Sequence, residues 1–133
     1  MLSKNGYQFE PTSHKIIALA IKVHKKLGPG FEEVIYQRSL AQELTMANLR
    51  FGREQWIDVF YEDRKIGRKR VDFLIENILV EIKAKAYYDP QDYMQTLSYL
   101  KATQLKTALL INFGSKIINI KRMVNTNRLS PFP

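Results

Sequence analysis

Along the chain, apolar positions recur first at helical spacing and then at strand spacing. In "PTSHKIIALAIKVHKKLGPG", Ile16, Ala20, Val23 and Leu27 share one helical face; Thr12 or Ser13 is the expected cap and Gly28-Pro29-Gly30 the stop. A second helix is predicted over 31–48, burying Val34, Leu40, Ala41 and Leu44. The period then falls to two. "EQWIDVFYED" alternates Trp56, Asp58 and Phe60 with Ile57, Val59 and Tyr61; "RKIG" reads as a turn and "RKRVDFLI" as the returning strand. "ILVEIKAK" is a third strand. Asp89 caps and Pro90 opens a helix continued by "QDYMQTLSYLKAT". "KTALLINFG" is nearly unbroken in its apolarity, as a strand covered on both faces would be, and "KIINIKRMV" reads as an edge strand. The tail "NTNRLSPFP" reads as loose.

The predicted order is therefore ααβββαββ. Antiparallel strands followed by a crossover helix and further strands imply an α/β (α+β) fold with a mixed central β-sheet flanked by helices. At 133 residues the chain fits a single domain, 1–133, with a loose tail at 125–133. "TALLINF" is too short to cross a bilayer, and "MLSKNGYQFEPT" lacks the apolar stretch of a secretory signal. There is no cysteine, hence no disulfide and no thiolate zinc site. A cytoplasmic protein with no membrane partner is expected. His14 and His24 lie too far apart for a helical metal pair and read as ordinary helix residues.

Charge sharpens the picture. Lys plus Arg number 21 against 13 Asp plus Glu, a net charge of +8. A small basic domain commonly meets a polyanion, with nucleic acid the default and a solubilising surface the bland alternative. The basic residues cluster: "RKIGRKR" sets Arg64, Lys65, Arg68, Lys69 and Arg70 beside the strand of Asp72.

Candidate chemistry lies in "RKRVDFLIENILVEIKAK". With Glu76-Asn77 at the tip of a two-residue turn, Ile75 pairs with Ile78, Leu74 with Leu79 and Phe73 with Val80, leaving Asp72 opposite Glu81. Directly opposed residues lie about 4.5–5.5 Å apart at Cβ, and like charges there are destabilising. Either a cation stands between the two acids or one of them holds a proton. Lys83 leaves the same strand face as Glu81, with Arg70 opposite it. Two readings stay open. One is an ion-paired polar face of Asp72, Glu81, Lys83 and Arg70. The other is a hard metal ion, with Lys83 stabilising phosphate charge or helping to orient and deprotonate water.

These residues resemble the PD-(D/E)XK nuclease superfamily, in which an Asp and a (D/E)-x-K lie on adjacent strands. More specifically, the chain is similar to the small GxxExxY proteins. "GFEEVIY" carries Gly30, Glu33 and Tyr36 after "KKLGPG"; "RVDFLIENILVEIKA" resembles the central hairpin, "MQTLSYLKAT" the Gln-containing helix and "ALLINFG" the next strand. The resemblance covers a core of about residues 13–124 and implies a restriction-endonuclease-like fold. It also implies a Mg²⁺-dependent (or Mn²⁺-dependent) phosphodiesterase acting on nucleic acid, DNA favoured over RNA. It makes Asp72, Glu81 and the main-chain carbonyl of Ile82 the metal ligands and Lys83 the catalytic lysine. Glu33 becomes the further acid from the first core helix, and Gln95 the polar helix residue near the site. Val71 stands where the superfamily name has Pro, and Ser98 where Asn is expected. The alternative is a catalytically inactive nucleic-acid-binding module of the same fold. Many superfamily members dimerise; nothing in this chain decides it.

Other residues carry paired readings. Glu33 and Tyr36 share a helical face, so Tyr36 could hold the carboxylate or be partial core, with Glu32 pointing elsewhere as the control. Gln95 and Tyr99 are a turn apart, and Tyr99 could support the site. Lys85 continues the Glu81–Lys83 face toward phosphate or solvent. Trp56, Tyr87 and Tyr88 could stack on bases, with Trp56 expected in the core. "GPG" lacks the Lys-Ser/Thr of a phosphate loop.

Overall fold

The computed structural model describes residues 10–125. Its elements follow the predicted order: α1 (Pro11–Leu27), α2 (Glu33–Met46), β1 (Phe51–Tyr61), β2 (Arg64–Ile75), β3 (Ile78–Lys83), α3 (Pro90–Ala102), β4 (Thr107–Asn112) and β5 (Asn119–Val124). The loose-tail expectation lies, except for Asn125, outside the described residues.

The strands form one sheet in chain order, β1 to β5. Only the β3–β4 pairing is parallel, because α3 carries the chain back between them. Every residue of β4 is buried. Leu109 and Ile111 face the α1–α2 side, together with Ile16, Tyr36, Leu40 and Phe73. Ala108 and Leu110 face the α3 side, together with Leu79, Leu100 and Met123. The alternating strand thus supplies both cores, which explains its unbroken apolarity.

Several boundaries differ from expectation. Neither Thr12 nor Ser13 caps α1. Pro11 opens the helix with Glu10 at the cap position, and Ser13 Oγ donates to the Glu10 carbonyl at 3.0 Å. α2 is shorter than predicted, and Val34 is exposed. The buried face runs through Tyr36, Leu40 and Leu44 at a spacing of four, and Val34 lies about half a turn away. "RKIG" is not a turn. Glu62 and Asp63 make it instead, with φ of 47° and 69°, the left-handed pair whose twist suits a two-residue hairpin. Gly67 pairs with Val59 inside β2, beside a one-residue register slip.

Asp89 caps α3 as predicted, its side chain accepting the Gln91 N–H. At the β2–β3 turn Glu76 and Asn77 also take positive φ, 47° and 86°. The register there is the expected one, Ile75↔Ile78, Leu74↔Leu79 and Phe73↔Val80. Beyond Phe73 the β2–β3 ladder stops, so the outer part of the β1–β2 ribbon lacks β3 as a neighbour.

Candidate functional site

Asp72 and Glu81 stand where β2 and β3 part. Glu81 Oε1 accepts the Asp72 N–H at 2.9 Å, and Asp72 Oδ2 accepts the Ile82 N–H at 2.7 Å. Side-chain oxygens thus take over from the backbone ladder. The face alternation of β2 breaks at the same point. Phe73 packs in the α1–α2 core, but Val71, two residues away, packs in the α3 core. Opposite the break, Glu54 of β1 has φ 50°, while the register on either side is kept, Arg53↔Phe73 and Gln55↔Val71. The distortion falls beside Asp72, between Phe73 and Val71.

Asp72 and Glu81 share a pocket of about 550 Å³ with Glu33 and Lys83. Its outer wall is the ribbon, through Glu54, Trp56, Arg68 and Arg70. Burial and the charge of Asp72 push Glu81 up to about 7, against the opposing pull of the Asp72 N–H and of Lys83. Burial also raises Asp72, while the Ile82 N–H, Lys83 and Gln37 work to lower it. Glu33 is raised by desolvation as well, with Lys83 again opposing. Lys83 opposes the rise of all three acids, helped by Lys69 at Glu81 and by Lys85 at Glu33, yet all three stay raised, and a dication between them would favour their charged forms.

The donor set suits such an ion. Among the described residues no three His, Asp or Glu side chains group as a ready metal site. Two carboxylates supplemented by main-chain oxygen and water are nevertheless what Mg²⁺ accepts, since it keeps several waters.

The "GFEEVIY" segment has a structural rationale. Gly30 has φ 114°, a backbone other residues rarely adopt. Tyr36 is fully buried, stacked on Phe113 at 4.8 Å between centroids. Its hydroxyl donates to the Gly28 carbonyl at 2.6 Å and accepts the Phe31 N–H at 3.2 Å. Tyr36 therefore ties down the turn before α2 and does not hold a carboxylate. That anchorage sets the first turn of α2, from which Glu33 reaches the pocket.

Other expected residues lie elsewhere. Gln95 is exposed and lines a different pocket, with Asp89, Asp92 and Lys85. The Lys85 ammonium sits 2.8 Å from Asp89 and 2.9 Å from Asp92, and these bonds push it up to about 12. The Asp72–Glu81–Lys83–Arg70 ion-pair face does not close, because Arg70 lies 3.9 Å from Glu54. On the ribbon, Lys65 pairs with Asp58 at 3.2 Å, and Lys69 stands 4.6 Å from the centroid of the Tyr99 ring. Arg64 is exposed beside the tip. Trp56 is not core: it is 48% exposed, while its neighbour Ile57, on the opposite face of β1, packs in the core on the α3 side. His24 bonds the Ser115 carbonyl at 3.0 Å, as an ordinary helix residue would.

Sequence reasoning missed three residues. Gln37 donates Nε2 to Asp72 Oδ1 at 3.2 Å. Its signal was available, since it lies four residues after Glu33 and so on the same helical face. Asp92, in the first turn of α3, is buried and reaches both Lys85 and, at 4.0 Å, Lys83. Asn112, the polar end of an apolar run, accepts the Lys85 N–H at 2.9 Å and donates to the Lys85 carbonyl at 3.0 Å.

A sheet, helices and a carboxylate–lysine pocket so arranged define a restriction-endonuclease-like fold. The family model of the PD-(D/E)XK nuclease superfamily matches residues 10–123, and the chain belongs to that superfamily. Membership suggests a nuclease-like function on nucleic acid. No curated protein and no solved structure matches the chain. Among the described residues, no helix is long and apolar enough to cross a membrane.

Proposed function

We propose that this protein is a metal-dependent nuclease of the GxxExxY group, a single-domain cytoplasmic phosphodiesterase that cuts DNA in preference to RNA. One observation carries the reading: Asp72 and Glu81, interlocked at the mouth of a hairpin, share a basic pocket with Lys83 and Glu33. Asp72, Glu81 and the Ile82 carbonyl would hold Mg²⁺ or Mn²⁺, with Glu33 contributing from α2. Bound there, the ion would polarise the phosphate and acidify a water. Lys83 directs its ammonium to the charge that develops on the phosphate oxygens. Glu33 accepts a hydrogen bond from the attacking water and orients it. Arg68, Arg70 and the other ribbon cations hold the backbone of the substrate. Gly30 and Tyr36, which set the start of α2, support the assignment to the GxxExxY group.

A second reading has a specific observation behind it. Each carboxylate already accepts a main-chain N–H, so the pair also acts as a structural clasp at the open end of the hairpin. On that reading the protein binds nucleic acid without cutting.

Cleavage of single-stranded, duplex and branched DNA and RNA, with Mg²⁺, Mn²⁺ or EDTA, decides between them. Metal-dependent cutting that falls at least about a hundredfold in Lys83→Ala is expected. Salt-dependent binding with no cutting of any substrate would replace the first reading by the second.

A further inference from the structure

The pocket wall contains a group that phosphodiester chemistry does not need. Trp56 is the chain's single tryptophan, and it is 48% exposed on a strand where an indole would ordinarily be covered. It lies directly across from Arg70, whose guanidinium is 5.6 Å from the ring centroid; Arg68 is closer, at 4.8 Å. Cross-strand packing of Arg on Trp explains why the ring keeps its orientation. It does not explain why the ring lines the same pocket as Asp72, Glu81 and Lys83.

We infer that Trp56 is a stacking platform for an unpaired nucleobase, and that the substrate enters this site as a single strand. A base inside a duplex already stacks on both faces and offers none to an indole, whereas an unpaired base does. Arg68 and Arg70, whose guanidiniums lie over the ring, supply the charge complementary to the phosphates flanking that base. Stacking tolerates any sequence, because every base has a π-face, so the platform selects strandedness rather than sequence. The inference rests on the nuclease reading of the same pocket, but it concerns binding, which metal-free conditions isolate from cutting.

The test uses the intrinsic fluorescence of the wild-type protein in EDTA, where Trp56 is the only indole emitter. Titration with a single-stranded oligodeoxythymidylate should quench the emission. The same length of duplex, or an abasic strand of equal charge, should quench it far less. Trp56→Ala should weaken single-strand binding about tenfold or more, measured by anisotropy of a labelled strand, while leaving duplex binding nearly unchanged. Trp56→Phe should restore most of the affinity, and Tyr87→Ala, an 84% exposed ring outside the pocket, should have no effect. Equal quenching by duplex and single strand, or by abasic and normal strand, would overturn the inference. So would Trp56→Ala binding single strands as tightly as wild type. Failure to cleave in Mg²⁺ alongside base-dependent quenching in EDTA would instead strike the nuclease reading and leave the platform standing.

Discussion

Asp72 and Glu81 each accept a main-chain N–H from the other's strand, Glu81 from Asp72 itself at 2.9 Å and Asp72 from Ile82 at 2.7 Å. The reciprocal grip draws two acids together at a point where burial already disfavours their charge. Lys83 only partly compensates.

Stability without metal should therefore fall as pH rises. Glu81 goes from an ordinary 4.5 to about 7 on folding, so between those values the folded chain binds a proton that the unfolded chain has released. The contribution is fully present below the unfolded value and is lost as pH climbs through about 7. Urea unfolding in EDTA should show a midpoint lower at about pH 8 than at about pH 5. Glu81→Gln, which keeps an oxygen for the Asp72 N–H, should flatten that profile, with a gain at the higher pH on the order of 1–3 kcal/mol. An unchanged profile in the variant would mean that Glu81 is not the group that titrates.

Mg²⁺ should reverse the penalty and displace a proton. Near neutral pH, calorimetric titration in buffers of different ionisation enthalpy should report proton release on metal binding, up to about one per site. Release should vanish above about pH 8.5, where Glu81 is already ionised, and binding itself should be lost in Asp72→Asn. Metal binding with no proton release near neutrality would place the ion away from Glu81.

Gln37 donates to Asp72 at 3.2 Å, so on the nuclease reading it orients a metal ligand. Gln37→Leu should preserve the fold and weaken Mg²⁺ binding about ten- to a hundredfold, the usual effect of removing a group that orients a ligand. Gln37→Glu would add a fourth acid to the cluster and should raise the pH at which metal binds. Metal affinity unchanged in Gln37→Leu would reduce the 3.2 Å contact to packing.

Gly114 should tolerate no side chain. A Cβ there would clash with the Ala84 carbonyl carbon and the Lys85 nitrogen, backbone that cannot swing aside. The same stretch of backbone is held by Asn112, and the Lys83 carbonyl accepts the Phe113 N–H at 2.8 Å. Gly114→Ala should destabilise the protein by about 1–3 kcal/mol, measured by chemical denaturation, and should disturb Lys83 through the displaced segment. A variant as stable as wild type would show that this segment moves freely.

Sequence alone determined the element order, the β2–β3 turn at Glu76-Asn77 and the register from Ile75↔Ile78 to Phe73↔Val80, just beyond which Asp72 and Glu81 meet. These follow from local regularities, the periods of two and 3.6 and the backbone demands of tight turns. The same regularities placed Glu33 near the start of a helix and Asp89 at a cap. Tertiary structure alone decided what meets across elements distant in the chain. Gln37 reaches Asp72 because α2 crosses the open end of the hairpin, and Lys85 turns to Asp89 and Asp92 because α3 begins beside it. Tyr36 went to the core and to the Gly28 carbonyl rather than to a carboxylate. Trp56, the kind of residue that alternation assigns to a core, stayed in the open. Periodicity states which face a side chain takes, but whether that face is covered depends on what packs over it: Ile57 is buried in the core on the α3 side, while Trp56, on the other face of the same strand, is not.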